Sequence, residues 1–201
     1  MEIKQLESKV LGSNTYILKN EHNSIIIDAG AELETVLEET NGTTVRAIFL
    51  THLHFDHCYN LLSVVNKFNC KVYLFNSDLV NNPNYTLSQM VGGLNLPTNC
   101  YVSIGENKQV ELEGFKVKCY HTAGHSADCM CYQINDCLFS GDTLFYGTIG
   151  RTDLPTSNKL DMLNSLEMLK GLTFTTCYSG HGQSSTYQEQ QENINYFLLE
   201  L

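Results

Sequence analysis

Residues 51–58 read THLHFDHC, which puts three histidines and an aspartate within six positions, directly after the apolar run AIFL. His52 and His54 are two apart at the end of an expected strand. Alternate side chains of extended backbone share a face, so both imidazoles can reach one ion. Asp56 and His57 follow as the chain turns into an expected helix, and their side chains point elsewhere, within reach of a second ion beside the first. The pattern differs from HExxH, in which two histidines one turn apart share a helix face. Such donors serve hydrolysis: metal coordination lowers the pKa of water from 15.7 toward ~7 and supplies hydroxide at neutral pH.

A two-ion site needs further donors, and the chain has seven histidines in all. HTAGHS (121–126) offers His121 and His125 just after a strand-like segment. SGD (140–142) offers Asp142 at a strand end, with Gly141 permitting close backbone approach. SGHG (179–182) offers His181 between two glycines, again at a strand end. Imidazole and carboxylate donors suit Zn²⁺, with Fe or Mn able to take the same set, and they exclude a soft all-thiolate site. Cys129 and Cys131 form only a CxC pair, and most of the eight cysteines read as small buried apolar side chains.

The elements that must position these residues are short. NTYILKN (14–20) and SIIIDAG (24–30), joined by a polar turn, read as a hairpin. AELETVLEET (31–40) has helical spacing and stops at Asn41-Gly42; VRAIFL (45–50) and KVYLF (71–75) are strands. The spacing from about Phe55 to Asn69 predicts one amphipathic helix. Residues 77–99, rich in Asn, Pro and Gly, read as a long loop with one short helix, a candidate lid or substrate wall. QVELEG, FKVKCYHT, DCMCYQI and CLFSGD follow as strands. A helix over 158–171, a strand over 175–180 and a closing helix QEQQENINYFLLEL complete the chain. Two β-rich halves without linker composition imply one domain over 1–201, two sheets packed together with helices outside.

Composition narrows the function. The formal charge of −10 and the thinly spread twelve Lys and Arg argue against a nucleic-acid partner. No stretch approaches the ~20 apolar residues that span a bilayer, so no membrane partner is expected. Eight cysteines without an export signal point to a cytoplasmic protein with free thiols. A small-molecule substrate is the expected partner.

The series THLHFDH, GHS, SGDTLF, GTIGRTDLP and SGHG resembles the metallo-β-lactamase-fold hydrolases, and within them the glyoxalase II-like (hydroxyacylglutathione hydrolase-like) branch. The resemblance runs from SIIIDAG to SGHG with the motifs in the family's order. It implies an α/β fold, the αββα four-layer sandwich of two mixed sheets flanked by helices, with two divalent metal ions. It implies His52, His54 and His125 at the first metal, Asp56, His57 and His181 at the second, and Asp142 bridging them. The family pattern GHTxGxxCY aligns Gly124-His125 with its ligand position, which leaves His121 outside the site. Asp28 of IIIDAG matches a position behind the ligands that supports them.

The resemblance further implies a metal-dependent thioesterase acting on S-2-hydroxyacylglutathione-like substrates, with a metal-bridging hydroxide as nucleophile oriented by Asp56. A persulfide dioxygenase with a single non-haem iron and a lactonase are the alternatives. Arg151 of IGRTD falls near a position where such enzymes contact substrate, or it pairs with Asp153; Tyr146, with Tyr85 and Met90, is a candidate pocket residue. Two departures stand out. No C-terminal glutathione-binding helical domain is expected after SGHG, and Asp128 replaces the usual glycine of the GHTxG pattern.

Overall fold

The computed structural model describes residues 1–106 and 108–201. Its first sheet has six strands in chain order: β1 (Glu2–Glu7), β2 (Asn14–Lys19), β3 (Asn23–Ile27), β4 (Thr44–Phe49), β5 (Lys71–Leu74) and β6 (Tyr101–Ser103). The first two pairings are antiparallel and the other three parallel, so the sheet is mixed. The second sheet contains β7 (Lys108–Leu112), β8 (Phe115–His121), β9 (Met130–Ile134), β10 (Cys137–Gly141), β13 (Thr176–Ser179) and β14 (Ser185–Thr186). Its order is β14-β13-β10-β9-β8-β7, with β10 and β13 parallel and the rest antiparallel. A small hairpin, β11 (Leu144–Phe145) and β12 (Thr148–Ile149), stands apart.

The layering follows from the two-residue period of strands with both faces covered. Tyr16, Leu18, Ile25, Ile27, Ala47 and Phe49 point inward and meet Val117, Met130, Tyr132 and Phe139 of the second sheet. The intervening residues Ile17, Ile26 and Ile48 point the other way, onto Val36 of α1 (Leu33–Thr40) and Leu61, Val64 and Val65 of α3 (Leu61–Phe68). Cys131, Leu138 and Cys177 carry the outer face of the second sheet. They meet Met162, Leu166 and Leu169 of α5 (Lys159–Lys170) and Ile194 of α6 (Tyr187–Glu200). The result is the expected αββα sandwich. All eight cysteines are buried and free, as small apolar side chains are.

The structure departs from the expected elements in three places. The single helix over 55–69 is two: α2 (Phe55–Cys58) and α3, interrupted at Tyr59 and Asn60. Tertiary contacts override the periodicity there. The Asp56 carbonyl accepts from the Ser13 hydroxyl at 2.8 Å, and the His57 carbonyl accepts from Ala29 N–H at 2.8 Å, so two groups that would propagate the helix are taken. Gly30 makes this approach possible, because a Cβ on it would run into the Asp56 carbonyl and the Ser13 hydroxyl.

Second, residues 77–99 hold three single-turn helices, 3-10 turns at Ser77–Leu79 and Ser88–Val91 and α4 (Pro83–Thr86), rather than one. Third, β1, β6, β11, β12 and β14 carry no apolar run of their own. β1, at the sheet edge with none of its residues buried, forms because β2 offers a free edge to pair with.

Candidate metal centre

Six chain segments deliver donors to one region. β3 leads into Asp28, β4 runs on to His52 and His54, α2 carries Asp56 and His57, the loop after β8 carries His125, and the adjacent parallel strands β10 and β13 lead into Asp142 and His181. Donor atoms of His52, His54 and His125 lie within 4.8 Å of one another, as do those of Asp56, His57 and His181. His52, His57 and Asp142 form a third such group that joins the other two. The Asp142 carboxylate is 3.3 Å from His57 Nε2 through one oxygen, and 3.4 Å from His125 Nε2 and 3.6 Å from His181 Nε2 through the other. All seven expected ligands therefore converge. His121 does not: its ring stacks on Phe75 at 3.9 Å and its Nε2–H donates to the Ala127 carbonyl.

The hydrogen bonds behind the cluster fix which nitrogen of each ring faces inward. Asp28, at φ +60° in a region costly for a residue with a Cβ, accepts three times: from Thr51 N–H at 2.7 Å, Thr51 Oγ1–H at 2.7 Å and His57 Nδ1–H at 2.8 Å. Because the Thr51 proton is used, His52 Nδ1–H donates to Thr51 Oγ1 at 3.1 Å. His125 Nδ1–H donates to the Arg151 carbonyl at 3.0 Å. The Nε2 atoms of His52, His57 and His125 thus all face the centre.

These residues fit metal ions. His52 Nε2 and Asp142 Oδ1 are buried with no hydrogen-bond partner, a costly arrangement for polar atoms unless a cation takes their lone pairs, and His54 faces the group through Nδ1, 3.0 Å from His125 Nε2. His57 and His181 bring their Nε2 atoms to 3.3 Å of each other. Burial holds the His54 imidazole down at about 3, with His125 adding to it, and burial likewise lowers His125. Burial also opposes charge on His57, but the Asp56, Asp142 and Asp28 carboxylates outweigh it and raise that group well above its usual value.

The loop carrying His181 is tied to the opposite sheet. Asn14 N–H donates to the Gly180 carbonyl at 2.7 Å, Asn14 Nδ2 donates to the Ser179 and Gly182 carbonyls, and the Tyr16 hydroxyl donates to Ser179 at 2.6 Å. Asn14 and Tyr16 were not legible as site residues, since each looks like an ordinary strand residue. Phe145, 6.1 Å from the His181 ring between centroids, was equally hidden within SGDTLF. The Arg151 guanidinium is taken by Asp153 in a bidentate pair at 2.6 and 2.8 Å. Tyr146 is exposed and faces Tyr196 and Asn193 of α6 across a shallow groove, while Met90 is exposed and Tyr85 packs partly against the helix-side core.

The sequence profile of the metallo-beta-lactamase superfamily matches residues 8–181. The chain belongs to this superfamily. Among its relatives, the probable metallo-hydrolase YqgX of Bacillus subtilis is 30% identical over 99% of this chain and 100% of its own length. A probable metallo-hydrolase of Streptococcus pyogenes is 30% identical over 98% of this chain and 90% of its own. Among solved structures, the B3 metallo-beta-lactamase BLEG-1 superposes with a TM-score of 0.88 at 28% identity, covering 98% of this chain and 99% of that one. TTHA1623 in a di-iron-bound form gives 0.79 at 30% identity, covering 94% and 96%. The chain is a metal-dependent hydrolase of the metallo-beta-lactamase superfamily. No helix among the described residues is long and apolar enough to cross a membrane.

Proposed function

We propose that this superfamily member is a two-metal hydrolase of the glyoxalase II-like branch acting on thioesters of the S-2-hydroxyacylglutathione kind. The observation that carries the reading is the position of Asp142, whose carboxylate lies between the His52/His54/His125 set and the Asp56/His57/His181 set. The di-iron form of TTHA1623 supports two ions rather than one. Zn²⁺ suits the nitrogen-rich donor set best, and Fe or Mn fits it too.

Bound divalent cations would supply an ionised water at neutral pH and polarise the substrate carbonyl. The chain's own residues do the rest. Asp56 is kept ionised: burial resists its charge, but His57 and His181 outweigh burial and lower its pKa. It accepts a hydrogen bond from the attacking water and aims it. Asp142 is likewise held well below the carboxylate range by His57, against its burial. Neither Asp56 nor Asp142 therefore starts with a proton of its own to give a leaving group. A thiolate, with a parent pKa of ~8.5, leaves without one, whereas an amine needs it. This favours a thioester over the β-lactam amide that the BLEG-1 likeness brings into consideration.

The test is metal analysis of the purified protein together with hydrolysis of S-lactoylglutathione, nitrocefin and a homoserine lactone. About two ions per chain and preferential thioester cleavage are expected. His54→Ala and Asp142→Ala each abolish it, and full activity in either would refute the site. One iron per chain with oxygen uptake on glutathione persulfide would replace the reading with a dioxygenase.

A further inference from the structure

We propose that Asp128 is a positioning residue of the first metal site: its buried carboxylate holds the backbone between His52 and His54 and ties it to the loop that carries His125. The inference rests on the metal reading above and adds to it a residue outside the ligand set.

The geometry is specific. Asp128 Oδ2 accepts from Leu53 N–H at 2.9 Å, across a separation of 75 residues. Its other oxygen accepts from the Ser126 hydroxyl at 2.6 Å, next to His125. Leu53 is the one residue between the two histidines of HxH. Leu50 N–H still donates to Tyr73 of β5, but beyond it the chain has run off the ladder, so its amides need other acceptors. Asp28 takes Thr51 N–H, and Asp128 takes Leu53 N–H. Alternate amides are thus clamped by two carboxylates from different sheets. An extended backbone fixed at residues 51 and 53 aims the side chains of 52 and 54 together.

The position is an expensive one for a carboxylate. Asp128 is only 3% exposed, and burial pushes its carboxyl up to about 6 against the stabilising Ser126 and Leu53 bonds. Glycine here would leave the Leu53 amide buried without an acceptor; the aspartate supplies one. The loop that the GHTxG pattern builds with glycine is built here around a side chain.

The test compares Co²⁺ loading of wild-type protein with that of the isosteric Asp128→Asn and of Asp128→Ala. The readouts are the visible ligand-field spectrum, chelator competition and kcat against KM. Asparagine retains one acceptor where two donors converge, and alanine retains none. We expect a shifted spectrum and affinity for the first ion reduced roughly 10- to 100-fold in Asp128→Ala, less in Asp128→Asn, with kcat falling and KM unchanged. Folded variants with the wild-type spectrum and affinity would overturn the proposal. Failure of Asp128→Asn to fold would also overturn it, by making the residue a support of the whole fold. A His54→Ala protein with an unaltered Co²⁺ spectrum would instead overturn the metal reading itself.

Discussion

His57 Nδ1 lies 2.8 Å from Oδ2 of Asp28. The same oxygen accepts from the Thr51 hydroxyl that in turn receives the His52 ring. One carboxylate thus sets the tautomer of an imidazole in each of the two candidate ligand groups. The left-handed backbone of Asp28, φ +60°, is the strain that brings it there.

Replacing Asp28 with asparagine places an N–H₂ where three donors converge, so His57 must turn its Nδ1 or lose its partner. Metal retention against a chelator should fall roughly 10- to 100-fold, with hydrolysis falling alongside. Unchanged retention would separate Asp28 from the metals.

Gly180 has no room for a side chain: a Cβ would strike Asp142 Oδ1 and lie 2.9 Å from His57 Cε1. Gly180→Ala should cut turnover by on the order of 100-fold through misplaced donors. Gly171, at φ −79° with nothing closer than 3.5 Å, is the control, and Gly171→Ala should hydrolyse normally.

Metal uptake should depend on pH unequally. In the metal-free protein His54 and His125 are lowered, burial being the main cause, and are neutral at pH 7. His57 and His181 are raised: burial opposes their charge, and neighbouring carboxylates outweigh it. A cation at the Asp56/His57/His181 set must displace protons, so its affinity should fall about tenfold per unit of acidification for each proton released. The His52/His54/His125 set should be nearly flat between about pH 8 and about pH 6. Titration calorimetry in two buffers of different ionisation enthalpy counts the protons, and equal release at both steps would contradict this.

Asp128 makes metal-free stability fall as pH rises. Its folded pKa of about 6 lies above the ordinary aspartate value of 3.8, so the folded state holds the proton longer, and the stability this confers is lost as pH rises through about 6. Relative to Asp128→Asn, the wild type should lose about 1.4 kcal/mol of unfolding free energy between about pH 5 and about pH 7.5. Urea titrations of both proteins at the two pH values measure it, and a constant difference would argue against a raised Asp128.

The sequence by itself determined the ligand types and the layers. HxHxDH, His125 after Gly124, Asp142 after Gly141 and His181 between two glycines are local patterns. The two-residue alternation of Tyr16-Ile17-Leu18 and Ile25-Ile26-Ile27 demands cover on both sheet faces. Only the tertiary structure decided how far each local preference could run. Helical periodicity continues from Phe55 to Phe68, yet Ser13 and Ala29 capture the Asp56 and His57 carbonyls and break the helix. Asp128 looked like a departure from a loop pattern until its carboxylate was found on the Leu53 amide, 75 residues away. Hydrogen bonds between residues so distant in sequence leave no periodic trace in it; they form only when two sheets bring their strand ends together.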